Sequence, residues 1–322
     1  MMEIKVSVMT RASALMSDGL LLAARSDRAR TLTTAVPLTR KVVDRFVAGE
    51  DDATAMRAAT ELIGAGLSVS MDRLGEDVTE RAEAEATVAG YLTMLAAMAS
   101  NNWGRQAEVS VKLSAIGQGL GMDGPEISLD NARRICLAAA DAGATVNIDM
   151  EDHSTTDLTL DAVCALRADF ADVGTVLQSM LRRTEGDCRD LARAGSRIRL
   201  VKGAYKEPAS VAFTDKADVD RSYERCLKIL FDGAGYPMVA SHDPAMISHA
   251  LGLISGAGRD ADSYEFQMLY GIRADEQLRL NAAGHTMRIY VPYGTDWYGY
   301  FMRRLAERPA NVGFFLRALV GK

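Results

Sequence analysis

From about residue 66 onward the chain repeats one theme, a short β-branched run followed by an Ala-rich stretch of helical periodicity. The runs are Leu67–Ser70, Val109–Leu113, Val146–Met150, Thr175–Gln178, Ile198–Lys202, Met238–His242, Tyr264–Leu269 and Met287–Val291, eight in all. Between the first two, Val78, Val88, Tyr91, Leu92, Leu95 and Met98 recur at helical steps. Glycines at 66, 143, 195, 235, 258 and 284 stand just before strands, where a left-handed helix cap fits a tight loop. Asp243-Pro244 reads as an N-cap followed by Pro at the first helical position. Strands alternating with helices build a parallel sheet, and the count favours a (βα)8 barrel over a doubly wound sheet. Two helical stretches, about 39–48 and 52–64, precede the first strand. The expected division is an N-terminal arm with packing helices at 1–65 and a barrel at 66–322. Residues 1–38 fit either a frayed arm or a docking helix.

Composition narrows the function. The chain has 322 residues, 48% of them hydrophobic, which is ample for a sizeable core. The formal net charge is −6 and no basic stripe is visible, so a nucleic-acid partner is not expected. No uncharged apolar run reaches the length of a membrane helix. Cys136, Cys164, Cys188 and Cys226 lie in helical stretches without CxxC spacing, which reads as a reduced, cytoplasmic setting.

Parallel strands are usually buried on both faces and apolar throughout. Here polar residues sit near the C-terminal ends of the runs: Lys112, Asp149, Gln178, Arg199, Lys202, His242 and Gln267. In barrels of this type that end carries the active site. The two-residue period puts Ser110 with Lys112, Asn147 with Asp149 and Arg197 with Arg199, but separates Arg199 from Lys202. After the last run, Arg303 and Arg304 are adjacent on a helical stretch. Their guanidinium forks suit a carboxylate or phosphate. A plain Arg303–Glu307 surface pair is the simpler alternative.

Other motifs carry less. Gly119-Leu120-Gly121-Met122-Asp123-Gly124 matches GxGxxG, but Ala115–Gln118 separate it from the strand and the helix is expected only from Ser128 or Leu129. It reads as a loop. His153, His242, His249 and His285 show no metal-ligand spacing, so no metal is expected. Lys112 or Lys202 could serve a Schiff-base lyase, though that leaves the paired arginines unexplained.

Together the motifs identify the chain as resembling the monofunctional, bacterial-type proline dehydrogenases. The resemblance is carried by Val111-Lys112-Leu113-Ser114, Asn147–Glu151, Val176-Leu177-Gln178 and Arg199-Leu200-Val201-Lys202-Gly203-Ala204-Tyr205. It continues through Ser241-His242-Asp243, Tyr264–Leu269, Arg288–Gly294 and Arg303–Asn311, in order over about residues 66–315. It implies a distorted (βα)8 TIM-type barrel with extra N-terminal helices and FAD at its mouth, without a Rossmann unit. By motif position, Arg199 looks like the arginine near flavin N5. Met150, Gln178, Lys202, Gly203, Ala204, Ser241 and His242 resemble the other flavin contacts. Lys112, Arg303 and Arg304 look like the substrate carboxylate clamp, and Asp149, Leu269 and Tyr290 like the pocket around the proline ring. Asp149, or a water it holds, would assist the ring nitrogen. Glu76 matches the glutamate that pairs with a clamp arginine.

The implied reaction oxidises L-proline to Δ1-pyrroline-5-carboxylate by hydride transfer to the flavin, with electrons passed to a quinone. The implied context is proline catabolism, with a separate pyrroline-5-carboxylate dehydrogenase downstream. A peripheral contact at the inner face of the membrane is compatible with a quinone acceptor. The same chemistry on hydroxyproline or another cyclic amino acid is the nearest alternative, and a barrel that binds flavin without turnover is another. The stretch 312–322 reads as an amphipathic helix suited to the barrel mouth, a dimer contact or core packing.

Overall fold

The computed structural model describes residues 43–306, with side chains through Arg304. Each expected run forms a strand. They are β1 Ser68–Arg73, β2 Ala107–Val111, β3 Thr145–Ile148, β4 Gly174–Gln178, β5 Arg197–Val201, β6 Tyr236–Ala240, β7 Glu265–Leu269 and β8 Met287–Tyr293. Every strand pairs in parallel with the next, and β8 pairs with β1 to close the barrel. The helices are α1 Asp52–Gly64, α2 Arg81–Ser100, α3 Gly124–Asp141, α4 Thr156–Arg167, α5 Thr184–Leu191, α6 Lys216–Asp232, α7 Pro244–Ala257, α8 Ala274–Ala282 and α9 Trp297–Ala306.

Local chemistry fixes many helix ends. Asp243 caps α7 by accepting from the Ala245 N–H at 3.0 Å, with Pro244 in the first turn, and Gly258 ends it at φ 60°. Asp51 and Asp215 cap α1 and α6 in the same way. The cap expected at Gly235 is different. Its φ is not positive, and a Cβ there would lie 2.7 Å from the Ser196 carbonyl oxygen, so glycine serves close approach. Helix α3 starts at Gly124, earlier than Ser128, because Pro125 fits its first turn. A short 3₁₀ turn, Ser114–Ile116, still separates the GxGxxG glycines from β2, and a second, Gly121–Asp123, lies within the motif. Of the expected helix 39–48, a single turn at Val43–Val47 is described, and residues 39–42 lie outside the described part. All four cysteines lie on helices without a disulfide; Cys164 is exposed and the others are buried.

The two faces of the strands differ in kind. Val69, Met71, Val109, Val111, Ile148, Ile198, Leu200, Val239, Phe266, Met268, Ile289 and Val291 join the core shared with the surrounding helices. The alternate residues meet inside the barrel and are largely polar. Glu108 is fully buried there. Its Oε1 accepts from Arg199 Nη2 and Ser70 Oγ at 2.7 Å, and its Oε2 from Arg197 Nη2 at 2.7 Å. Glu265 accepts from Arg288 Nε at 2.8 Å and Gln267 Nε2 at 2.5 Å. Burial alone would raise the Glu108 carboxyl, but Arg197, Arg288 and Arg199 outweigh it and hold the carboxyl far below the usual range.

This layer shifts most of the strands from their expected positions. β2, β5 and β6 begin earlier than the apolar pattern indicates, at Ala107, Arg197 and Tyr236. Their first turns of strand carry the inward Glu108, Arg197 and Tyr236, which a hydropathy pattern scores as loop. β1 and β8 extend further than expected, to Arg73 and Tyr293, along their mutual ladder. Thus Arg199 and Gln267 lie mid-strand rather than at strand ends, while Lys112, Asp149 and Lys202 stand one residue past theirs.

Removing one member of a buried ion network leaves its partners uncompensated. Glu108→Ala is therefore expected to lose about 3–5 kcal/mol in denaturant unfolding; a loss below roughly 1 kcal/mol would show that the arginines are solvated from elsewhere. Because the folded Glu108 pKa is depressed, its stabilisation is present above about pH 4.3 and fades as the pH falls below that.

Candidate functional site

The C-terminal ends of the strands and the loops after them enclose a cavity of about 660 Å³. Its lining includes Glu76, Lys112, Asp149, Met150, Gln178, Arg199, Lys202, Gly203, Ala204, Ser241, His242, Leu269, Tyr290, Arg303 and Arg304. The structure thus brings every candidate site residue into one place. It adds Asp72, Tyr205 and Tyr300, which the sequence reading missed, and apolar wall residues such as Val176, Val201 and Met268. A volume in the range of roughly 300–1,000 Å³ with few convergent polar groups is typical of small-molecule and cofactor sites.

Arg199 is the most constrained of these groups. Its Nε donates to Gln267 Oε1 at 2.6 Å, Nη1 to Ser110 Oγ at 2.8 Å and Asp149 Oδ1 at 2.7 Å, and Nη2 to Ser70 Oγ at 3.1 Å and Glu108. That accounts for each of the five N–H donors of a guanidinium. Burial alone would depress its pKa, yet Asp149 and Glu108 outweigh burial and push it up, so the group stays charged. The Tyr290 ring lies against it, 5.3 Å from the guanidinium carbon. Asp149 is equally occupied. Its Oδ1 accepts from Arg199, Asn147 and Ser110, and its Oδ2 from Tyr290 Oη at 2.8 Å.

Lys112 and Asp72 form a second buried pair, 2.7 Å apart, from adjacent strands. Burial opposes the Lys112 charge, but Asp72, Glu76 and Asp149 more than offset it, and its pKa rises well above the ordinary lysine value. A Schiff-base lysine needs the opposite shift. Lys202 is held by Asp220 and by Asp243 at 2.7 Å. It and Arg199 have separate partners, as the strand period requires. Gln178 donates to the Glu151 carbonyl at 2.8 Å, and His242 Nε2 accepts from the Leu269 N–H at 2.9 Å.

Arg303 pairs with a residue far from it in sequence. Its Nη2 donates to Glu76 Oε1 at 2.7 Å and its Nη1 to Oε2 at 3.3 Å, bridging α9 to the loop after β1. Glu307, the partner in the simpler alternative, lies outside the described residues. A small apolar cluster positions α9: Val43, Phe46, Val47, Leu74 and Ile272 pack against Trp297, Tyr298, Phe301 and Met302. Among the described residues, no group of three or more His, Cys, Asp or Glu is placed to hold a metal ion.

Residues 55–317 match the family model described as Proline dehydrogenase. A proline dehydrogenase of Deinococcus radiodurans is 41% identical over 281 residues, covering 87% of this chain and 90% of its own length. Proline dehydrogenase 1 of Bacillus subtilis is 39% identical over 284 residues, covering 88% and 92%. Among solved structures, proline utilization A from Bdellovibrio bacteriovorus, inactivated by N-propargylglycine, superposes with a TM-score of 0.77 at 24% identity. That match covers 84% of this chain and 33% of the larger protein, and it shows the shared barrel.

Gly203 lies on the cavity wall inside the matched segment. Its φ is 115°, and a Cβ would fall 2.3 Å from Met180 Sδ. Gly203→Ala is expected to destabilise the fold by about 1–3 kcal/mol; an unchanged denaturation midpoint would show that the loop relaxes freely.

Proposed function

The chain belongs to the proline dehydrogenase family, and from that premise we propose that it oxidises L-proline to Δ1-pyrroline-5-carboxylate with FAD, passing the electrons to a quinone. The observation that carries this reading is the sorting of charge around one cavity. Lys112, Arg303 and Arg304 line it together with Arg199, Lys202, Gln178 and His242. The donor set fits a flavin: fixed cations, an amide and an imidazole, beside small Gly203 and Ala204 and the apolar side chains Val176 and Val201. Met150, Gln178, Lys202, Gly203, Ala204, Ser241 and His242 would hold it, with Arg199 near its reacting edge. When bound, the flavin supplies the two-electron acceptor that no side chain can provide.

The chain's own residues do the rest. Arg303 and Arg304, with Lys112, orient the substrate carboxylate, which fixes the ring and removes rotational freedom before reaction. Leu269 and Tyr290 bound the ring. Arg199 places a desolvated positive charge where negative charge develops, and its five bonds keep it from reorganising. Asp149 is one of the groups that fix it there. No helix among the described residues is long and apolar enough to cross a membrane. Delivery to a quinone would thus rest on a peripheral contact of the enzyme with the membrane.

The direct test is the visible spectrum of the purified protein, before and after proline is added without oxygen or another acceptor. Flavin bands that bleach with proline are expected. Bands that bleach only with hydroxyproline or pipecolate would change the substrate, and a protein that stays colourless after added FAD would overturn the reading. Arg303→Met and Arg304→Met should each raise KM for proline at least roughly tenfold with flavin retained, the loss of a charge-assisted contact. Unchanged KM in both would refute the clamp. Arg199→Leu should impair flavin reduction or retention, and wild-type behaviour in both would remove it from the flavin edge.

A further inference from the structure

Two carboxylates face the substrate side of the cavity from the barrel wall, and they differ in one respect. Asp149 has both oxygens engaged by Arg199, Asn147, Ser110 and Tyr290. Asp72 has one. Its Oδ1 accepts from Lys112 at 2.7 Å, while its Oδ2 is buried without a hydrogen-bond partner. A buried carboxylate oxygen left without a donor costs free energy on the order of 1–3 kcal/mol, more when charged, and such orphans call for an explanation.

The position of Asp72 supplies one. Ser70 precedes it on the inward face of β1, so Asp72 also points into the barrel, one layer above Ser70 and at the cavity. There it stands beside Lys112 as an adjacent anion and cation. An α-amino acid presents the complementary arrangement, an ammonium beside a carboxylate. We propose that Asp72 Oδ2 binds the ring nitrogen of the amino-acid substrate and accepts its proton, while Lys112 faces the carboxylate. This inference rests on the proposed oxidation of a cyclic amino acid.

The step balances. The ring nitrogen enters as a secondary ammonium. One N–H bond breaks as the Asp72 O–H bond forms, and the freed lone pair becomes the C=N bond. The C5–H bond breaks and its hydrogen leaves with both electrons as hydride, for which a bound flavin would be the oxidant, so the ring is left as the protonated imine. Burial, and the like charge of Asp149, raise the Asp72 carboxyl despite Lys112 and the nearby Tyr290 hydroxyl, whose proton is donated to Asp149, and this makes Asp72 a better proton acceptor than an exposed aspartate. The ionisable groups facing it are Lys112 from β2, Asp149 after β3, Tyr290 from β8, Tyr91 from α2 and Arg303 from α9, with Glu76 beyond Lys112. Of these, Asp149 and Glu76 are the other carboxylates, and both accept hydrogen bonds from arginine.

The test is Asp72→Asn in the flavin-loaded enzyme, with two readouts. The first is equilibrium binding of cyclopentanecarboxylate, which carries the ring and carboxylate but no nitrogen, followed by perturbation of the flavin spectrum. The second is the pH profile of anaerobic flavin reduction by proline. Cyclopentanecarboxylate affinity should stay within about threefold of wild type. Reduction by proline should slow roughly hundredfold or more, and the fall in rate at low pH should disappear. Equal losses in both readouts with the acid limb kept at its wild-type position would overturn the proposal and leave Asp72 as a positioner of Lys112. Asparagine beside an unpaired Lys112 could disturb folding, so a second comparison uses Lys112→Met as reference and adds Asp72→Asn to it. The acid limb should survive in Lys112→Met and vanish in the double variant; its survival in both refutes the assignment. A wild-type flavin that proline fails to reduce refutes the proposed function itself and is seen before any variant is made.

Discussion

The contact between Glu108 and Arg199 is the constraint on which the site depends. Moving charged groups into a low-dielectric interior costs several kcal/mol each unless they meet opposite charge in good geometry. The barrel meets that condition in layers. Glu108 and Glu265 face Arg197 and Arg288 deepest in the barrel, Arg199 faces Asp149 and Glu108 above them, and Lys112 faces Asp72 at the cavity. Every cation in this stack has a carboxylate from another strand. A single slipped strand register would therefore separate charges as well as misplace side chains. The layering gives parallel pairing a register check that apolar interiors lack.

That arrangement divides the work between the two strand faces. The outward faces supply the hydrophobic core against the helices, where burial of each large side chain contributes about 1.5–3 kcal/mol. The inward faces contribute less net stability, because ion pairs taken out of water roughly break even with apolar residues of the same size. What the polar interior provides is position. Arg199 cannot rotate without breaking bonds to three strands and to the residue that follows a fourth, and a charge that need not reorganise is the one most useful to a reaction.

The outward half of this design was legible in the sequence. Alternating apolar residues marked all the strands, and caps such as Asp243-Pro244 and Gly258 marked helix ends through purely local chemistry. The inward half was only partly legible. Lys112, Asp149 and Arg199 stood out as charges where strands should be dry, but Glu108 and Arg197 lay at strand starts, where a charge looks like the end of a loop. Asp72 was missed at the other end of its strand: the expected run of β1 stops at Ser70, and the ladders to β2 and β8 carry the strand on through Asp72. Glu76 came from motif position alone. Its pairing with Arg303 joins residues 227 positions apart in the sequence, and no periodicity within either segment contains that information.

The two arginine sites at the cavity differ in how easily they can exchange partners. The Arg199 side chain is 5% exposed and its Asp149 partner 10%, whereas Arg303 and Glu76 are each 23% exposed. An ion pair open to water is worth about 0–1 kcal/mol, while breaking a buried one costs about 3–5 kcal/mol. The part-buried Arg303–Glu76 pair lies between these limits, so a carboxylate arriving from solution competes for Arg303 at lower cost than for Arg199. The same ligand cannot compete with Asp149 for Arg199. The exchangeable cation rides on α9, which a small apolar cluster of its own holds against the barrel; the fixed one belongs to the interior of the barrel. On the proposed function, substrate capture and charge stabilisation would fall to different structural layers, so that a clamp at Arg303 would exchange partners without disturbing the charge of Arg199.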